Sequence, residues 1–145
     1  MAGELVTAAT AKEVHAAVKD WLNGCAELPQ GISVSFENLP ANDAGICFST
    51  DQSPIYAARY IGGGYKAQYQ FQVIYRVLPS DDGDMLAAVD ILTDISAWCE
   101  TAEPPLIEGA INTKIERTSD VAVLNAYEDG CTDYGCGITI TWEVF

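Results

Sequence analysis

The sequence predicts an α+β domain in which two helices pack on one face of a mostly antiparallel sheet. Three observations carry this expectation. Over residues 65–77 the odd positions read Tyr65, Ala67, Tyr69, Phe71, Val73, Tyr75 and Val77, while the even ones read Lys66, Gln68, Gln70, Gln72, Ile74 and Arg76. Successive side chains on a strand point to opposite faces, so this is one long strand with an apolar side and a polar side. Soon after it, Ala88, Ile91, Leu92, Ile95, Trp98 and Cys99 recur at helical spacing and form a wide apolar stripe. The rest of the chain breaks into shorter alternating runs separated by Gly, Pro, Asn and Asp clusters, the punctuation of strands and turns. A two-faced strand followed by an amphipathic helix gives a sheet with one face covered by helix and the polar face open to a partner.

Taken in order, Thr10-Ala11-Lys12-Glu13 fits a capping box, in which the threonine oxygen accepts from the backbone at Glu13 and the glutamate reaches back. Val14, Val18, Trp21, Leu22 and Cys25 follow at helical spacing, so the first helix is expected over residues 11–24, with Asn23-Gly24 as its stop. His15 falls on the flank of that stripe beside Lys12 and Lys19 and reads as a solvated surface residue, because no orienting carboxylate or nucleophile accompanies it. Pro29-Gln30-Gly31 marks a turn, residues 32–37 alternate as a half-buried strand, and residues 38–43 form a loop. A short strand over 45–49 carries Ile46 and Phe48 on one side, Thr50-Asp51-Gln52-Ser53-Pro54 breaks it, and residues 55–61 make another strand. Gly62-Gly63-Gly64 lacks the lysine and hydroxyl residue of a phosphate loop and precedes a strand, so it reads as a bend, bulge or finger in one long hairpin.

Leu78-Pro79-Ser80 stops the long strand, since proline cannot donate to a ladder. Asp81, Asp82 and Asp84 then open the second helix where the macrodipole favours acidic side chains. Pro104-Pro105 follows its end. Over residues 110–117, Ile111, Thr113 and Ile115 alternate with Asn112, Lys114 and Glu116, and Thr118-Ser119-Asp120 turns the chain into a strand over 121–127. Asp129-Gly130 is a hairpin signal. The last strand, over residues 137–145, sets Ile138, Ile140, Trp142 and Val144 on one face. The element order is therefore α-β-β-β-β-α-β-β-β in a single domain over residues 1–145, a length that supports a real core.

Composition narrows the function classes. Seven Lys and Arg against 21 Asp and Glu give a net charge of −14. Nucleic-acid binding relies on basic residues that neutralise phosphates, and no basic cluster occurs, so sequence-specific DNA or RNA binding is not expected. An acidic surface keeps subunits soluble and repels DNA passing nearby. No apolar run reaches the roughly 20 residues of a membrane span, and Met-Ala-Gly-Glu-Leu-Val-Thr does not read as a signal peptide, so a cytosolic chain is expected. In that compartment Cys25, Cys47, Cys99, Cys131 and Cys136 read as buried, reduced thiols. Cys131 and Cys136 bracket Thr-Asp-Tyr-Gly, which leaves a disulfide between them conceivable, but the four ligands of a zinc site are lacking.

Nothing in the sequence requires an enzyme. Nucleophile-elbow, zinc-protease, dinucleotide and phosphate-loop motifs are all missing, and the acidic group at 81, 82 and 84 lacks the spacing of a calcium loop. No catalytic, metal-ligating or cofactor-binding residue is expected, and no cofactor. Trp21, Trp98 and Trp142 sit in apolar registers and read as core. The candidate interface is instead the polar row of the long strand with its flanks: Arg59, Lys66, Gln68, Gln70, Gln72 and Arg76. Glutamine carries donors and acceptors without charge, so a row of it is buried against another polar surface at less desolvation cost than charged residues.

The run Tyr60-Ile61-Gly62-Gly63-Gly64-Tyr65-Lys66-Ala67-Gln68-Tyr69-Gln70-Phe71-Gln72-Val73-Ile74-Tyr75-Arg76, with Leu86-Ala87-Ala88-Val89-Asp90-Ile91-Leu92 and Ile95-Ser96-Ala97-Trp98-Cys99-Glu100, resembles the minor capsid protein family of tailed phages and prophages of Gram-positive bacteria. The resemblance is strongest over residues 55–100. It implies an α+β subunit of a virion, of the tail-terminator kind, that forms a ring, often a hexamer, capping the tail tube at its junction with the head. It further implies contacts with the major tail protein below and a head-completion protein above. By the same resemblance the chain belongs to the host cytoplasm before assembly and to the virion after it. Two other readings remain open on the residues: a neighbouring neck protein, and a small cytosolic ligand-binding or enzymatic α+β domain.

Overall fold

The computed structural model describes residues 8–29, 32–37, 45–51, 56–78, 82–105, 107 and 109–145, and for residues 8–13 and 82–84 it describes the backbone alone. The elements run α1(Ala8–Asn23), β1(Val34–Phe36), β2(Gly45–Thr50), β3(Tyr56–Arg59), β4(Tyr65–Val77), α2(Asp82–Thr101), β5(Ile111–Arg117), β6(Ala122–Ala126) and β7(Thr132–Val144). The order is the one expected, and the domain is α+β with a mostly antiparallel seven-stranded sheet.

The sheet is built on two strands of equal length. β4 and β7 pair antiparallel without a break, from Tyr65 opposite Val144 to Val77 opposite Thr132, a spine roughly 40 Å long at the usual rise. On its other side β4 carries β2 along the Phe71–Arg76 half and β3 along the Tyr65–Ala67 end. On its other side β7 carries β5 and then β6. Two long hairpins, each with one interrupted arm, are thus laid side by side. β1 adds a parallel pairing, the one such pairing among the described residues, at the outer side of β2. Its free edge is closed at Val34 by a side chain: Asn23 Nδ2 donates to the Val34 carbonyl at 3.0 Å, and the Val34 amide donates to Asn23 Oδ1 at 2.7 Å. A residue read from the sequence as a helix stop therefore also acts as a strand partner.

Both helices cover the face that carries the odd positions of β4. Val18 and Leu22 of α1 and Leu92, Ile95 and Cys99 of α2 close over Ile46, Phe48, Phe71, Val73, Ile138 and Ile140, all almost fully buried. Each such side chain contributes roughly 1.5–3 kcal/mol on burial. The helices meet through Trp21 and Trp98, whose rings lie 5.0 Å apart, and Trp21 Nε1 donates to the Glu103 carbonyl at 2.7 Å. Trp142 is buried in the core. The five cysteines are buried free thiols, Cys136 in the core beneath α2 and Cys131 in the β6–β7 turn.

Several local expectations are corrected. α1 begins at Ala8, so Thr10 lies inside the helix and cannot be its cap. Of the bend, bulge or finger expected at Gly62-Gly63-Gly64, the structure has the finger, the tip of the β3–β4 hairpin: Tyr60 N donates to the Gly64 carbonyl at 2.8 Å, and Gly63 takes φ +101°, which favours glycine. In β5 the alternation fails at its start, because Asn112 takes φ +52° and shifts the register, leaving Ile111 about half exposed instead of beside Ile115. β7 begins five residues before the expected strand, at Thr132 rather than Gly137. The expected turn at Gln30-Gly31, the loop at 38–43, the break at Gln52-Ser53-Pro54 and the stop at Pro79-Ser80 with Asp81 lie outside the described residues, as do the side chains of Asp82 and Asp84.

Candidate interface on the open face of the sheet

Directly opposed residues of an antiparallel pair share a face, so the ladder defines what lies opposite the helices. β4 presents Lys66, Gln68, Gln70, Gln72, Ile74 and Arg76; β7 answers with Glu143, Thr141, Thr139, Gly137, Gly135 and Asp133; β2 adds Ser49, Cys47 and Gly45. This face divides into two halves of different character.

The half beyond Gln72 is closed by the chain itself. Arg76 lies against Asp133 in a two-pronged pair, Nε to Oδ1 at 2.8 Å and an η nitrogen to Oδ2 at 3.0 Å, with side chains 16% and 5% exposed. Tyr127 donates its hydroxyl to Asp133 Oδ2 at 2.7 Å, and its ring lies 5.0 Å from the guanidinium. These hydrogen bonds, chiefly to the Asp133 carboxylate, raise the pKa of both Arg76 and Tyr127. Burial first, then the Asp133 charge, pushes the nearby Cys47 thiol up to about 11. Leu124 closes over Gly135, where a Cβ would stand 2.5 Å from a leucine methyl.

The other half is open and polar: neutral amides and hydroxyls run along β4 and β7, and β5 sets the exposed Lys114 and Glu116 beside Thr141 and Thr139. Gln68, Gln70 and Gln72 stand in a half-buried row beside Thr139 and Thr141, with Ser49 across from Gln72. Gln72 Nε2 donates to Asp51 Oδ1 at 3.2 Å. At the end of the row Lys66 faces Glu143, whose carboxylate accepts from the Tyr60 hydroxyl at 2.9 Å and from Asn112 Nδ2 at 3.1 Å. The bond to Glu143 raises the Tyr60 pKa.

Of the six residues singled out from sequence, the structure brings Lys66, Gln68, Gln70 and Gln72 together on this open half. Arg76 stands on the same face but is taken up by Asp133 and Tyr127. Arg59 lies elsewhere: it is opposite Tyr65, on the helix side, with its guanidinium 4.5 Å over the Tyr56 ring. Thr139 and Thr141 were not singled out, although the alternation of the last strand put them opposite Ile138 and Ile140. Which strand they lie beside is a matter of long-range register, and no local pattern carries it.

His15 is not a solvated residue. Its ring is half-buried between Phe36 and Tyr69, at 4.9 and 5.4 Å between centroids, and Nδ1 lies 2.6 Å from the Tyr69 hydroxyl. Burial, with Glu37 adding, raises the Tyr69 pKa. Among the described residues no group of three or more His, Cys, Asp or Glu is placed to hold a metal ion, and no helix is long and apolar enough to cross a membrane. No family model matches the chain, and no curated protein matches it.

Proposed function

We propose that this protein is a structural subunit of a phage or prophage tail, of the tail-terminator kind. In this reading it forms a ring that caps the tail tube and joins it to the head, with the major tail protein and a head-completion protein as partners. The observation that supports the reading best is the open half-face. One side of the β4–β7 spine is filled by helices, while the other displays Gln68, Gln70, Gln72, Thr139 and Thr141, a strip of neutral hydrogen-bonding groups in a chain of −14. Such a strip is suited to burial against a second protein, because it is desolvated at lower cost than a charged surface and still specifies partners through its amides. The sequence resemblance over residues 55–100 points the same way. A small-molecule enzyme would instead need several polar groups converging in a cavity.

The test adds charge where the strip needs neutrality. Gln72 is left unchanged, because a glutamate there would meet Asp51 within the folded subunit. The double variant Gln68→Glu/Gln70→Glu should fold with stability within about 1 kcal/mol of the parent. It should lose ring formation or tail completion, since like charges and unpaired carboxylates across an interface cost several kcal/mol. The measurements are mass in solution and completion of tails in a phage assembly assay. A double variant that assembles and completes tails as well as the parent would remove this face from the interface.

A further inference from the structure

Two exposed apolar features lie at opposite ends of the β4–β7 spine. At one end the β3–β4 hairpin lifts Ile61 fully into solvent at its tip. The tip is held in shape from below: Tyr60 stacks on Phe145 at 5.6 Å with the rings nearly parallel, and Gly64 lies so close to Phe145 that a Cβ would stand 2.5 Å from the ring. Among the described residues nothing buries this β-branched side chain, and an ordered tip loses little entropy on docking. At the other end, where Tyr134 is opposite Tyr75, an open depression of about 350 Å³ is lined by Met85, Leu86, Val89 and Tyr134. Leu86 is 65% exposed at its rim.

We propose that the Ile61 tip of one copy docks in the Met85–Leu86–Val89–Tyr134 depression of the next. The inference rests on the ring reading above and names its subunit-to-subunit contact. Three features select a second copy as the occupant. Knob and hollow are both largely apolar, and among the described residues neither is covered. They are separated by the length from Tyr65 to Tyr75, roughly 33 Å of strand, so a copy that gives its tip still offers its hollow, which is the head-to-tail polarity that closes into rings. Their charges also differ in sign: the exposed Arg59, one of only seven Lys and Arg, stands two residues before the tip, while the exposed Asp90 follows Val89 of the hollow on α2. With subunits joined end to end, the glutamine strip remains available to the adjoining ring.

The experiment uses Ile61→Asp and Leu86→Asp, separately and mixed, with mass followed by light scattering over a concentration series. Both side chains are exposed, so unchanged thermal melts are expected, and Leu86→Asn replaces Leu86→Asp if its melt shifts. The parent should assemble. Each variant should need about thirtyfold more protein to do so, the effect of losing one central apolar anchor, and Ile61→Val should restore assembly. An equimolar mixture should stop at a dimer, because one intact tip meets one intact hollow and the chain of contacts then ends. If the parent and both variants assemble alike, the contact lies elsewhere and the ring reading survives without it. If the variants are monomeric and their mixture is too, tip and hollow do not meet. A parent that stays monomeric throughout also overturns this contact, and tail completion by the glutamine variant then judges the ring reading separately.

Discussion

At the scale of single residues, the Arg76–Asp133–Tyr127 cluster decides how the far half of the sheet is closed. A half-buried guanidinium is tolerated there because both carboxylate oxygens and an aromatic face meet it. Removing the carboxylate leaves that charge without its counter-ion, so Asp133→Asn should destabilise the fold by about 2–3 kcal/mol. This is less than the roughly 3–5 kcal/mol of a fully buried pair that loses one partner, since Arg76 keeps some contact with water. Arg76→Met together with Asp133→Asn should be milder than the sum of the two single changes. Urea midpoints of the four proteins measure this, and strict additivity would mean the pair is not coupled. The cluster also shows where reading by residue type stops. Its even position puts Arg76 on the polar face, where the structure has it, but a partner 57 residues away removes it from any outward role. His15 is the converse case: no local signal pairs it with Tyr69, 54 residues distant.

At the scale of elements, glycines explain both the late start assigned to the last strand and the interruption between β5 and β6. Gly135 and Gly137 weaken the strand pattern of residues 132–137, which is why the alternation of Tyr134, Cys136 and Ile138 was legible only from 137 onward. In the structure these positions admit neighbours. Thr118 N donates to the Gly137 carbonyl at 2.9 Å, Gly137 N donates to Ser119 Oγ at 2.8 Å, and a Cβ on Gly137 would stand 2.5 Å from Thr118 Oγ1. Propensity alone says that Gly137→Ala should stabilise a strand by up to about 1 kcal/mol. The packing says the reverse: the Thr118–Ser119 crossing must shift, costing about 1–3 kcal/mol. Chemical denaturation settles the sign, and faster amide exchange at Gly137 would identify the lost bond. Element type and order were legible because each strand carries its own period and each helix its own stripe. The pairing of two interrupted hairpins was not, because register is set between segments.

At the scale of the whole molecule, the buried thiols tie stability to alkaline pH. Burial raises Cys47 and Cys136 from an ordinary value of 9.0 to about 11 each. The folded protein therefore keeps protons that the unfolded chain gives up, and it binds more of them wherever the pH lies between these values. Stability should be level up to about pH 9 and fall as pH rises through 11. The urea midpoint at pH 8, 9.5 and 10.5 follows this, and a flat series would mean the thiols are not shielded as placed. The same global view bears on how the chain is made. β7 is the last of these elements to leave the ribosome, yet it lies at the centre of the sheet. During synthesis β4 therefore waits with a bare ladder edge for the time needed to translate the residues up to Val144, on the order of ten seconds. Over that interval its Tyr, Phe and Val side is exposed to other nascent chains, so yield in the cell should depend on translation speed and on holding chaperones more than final stability would suggest.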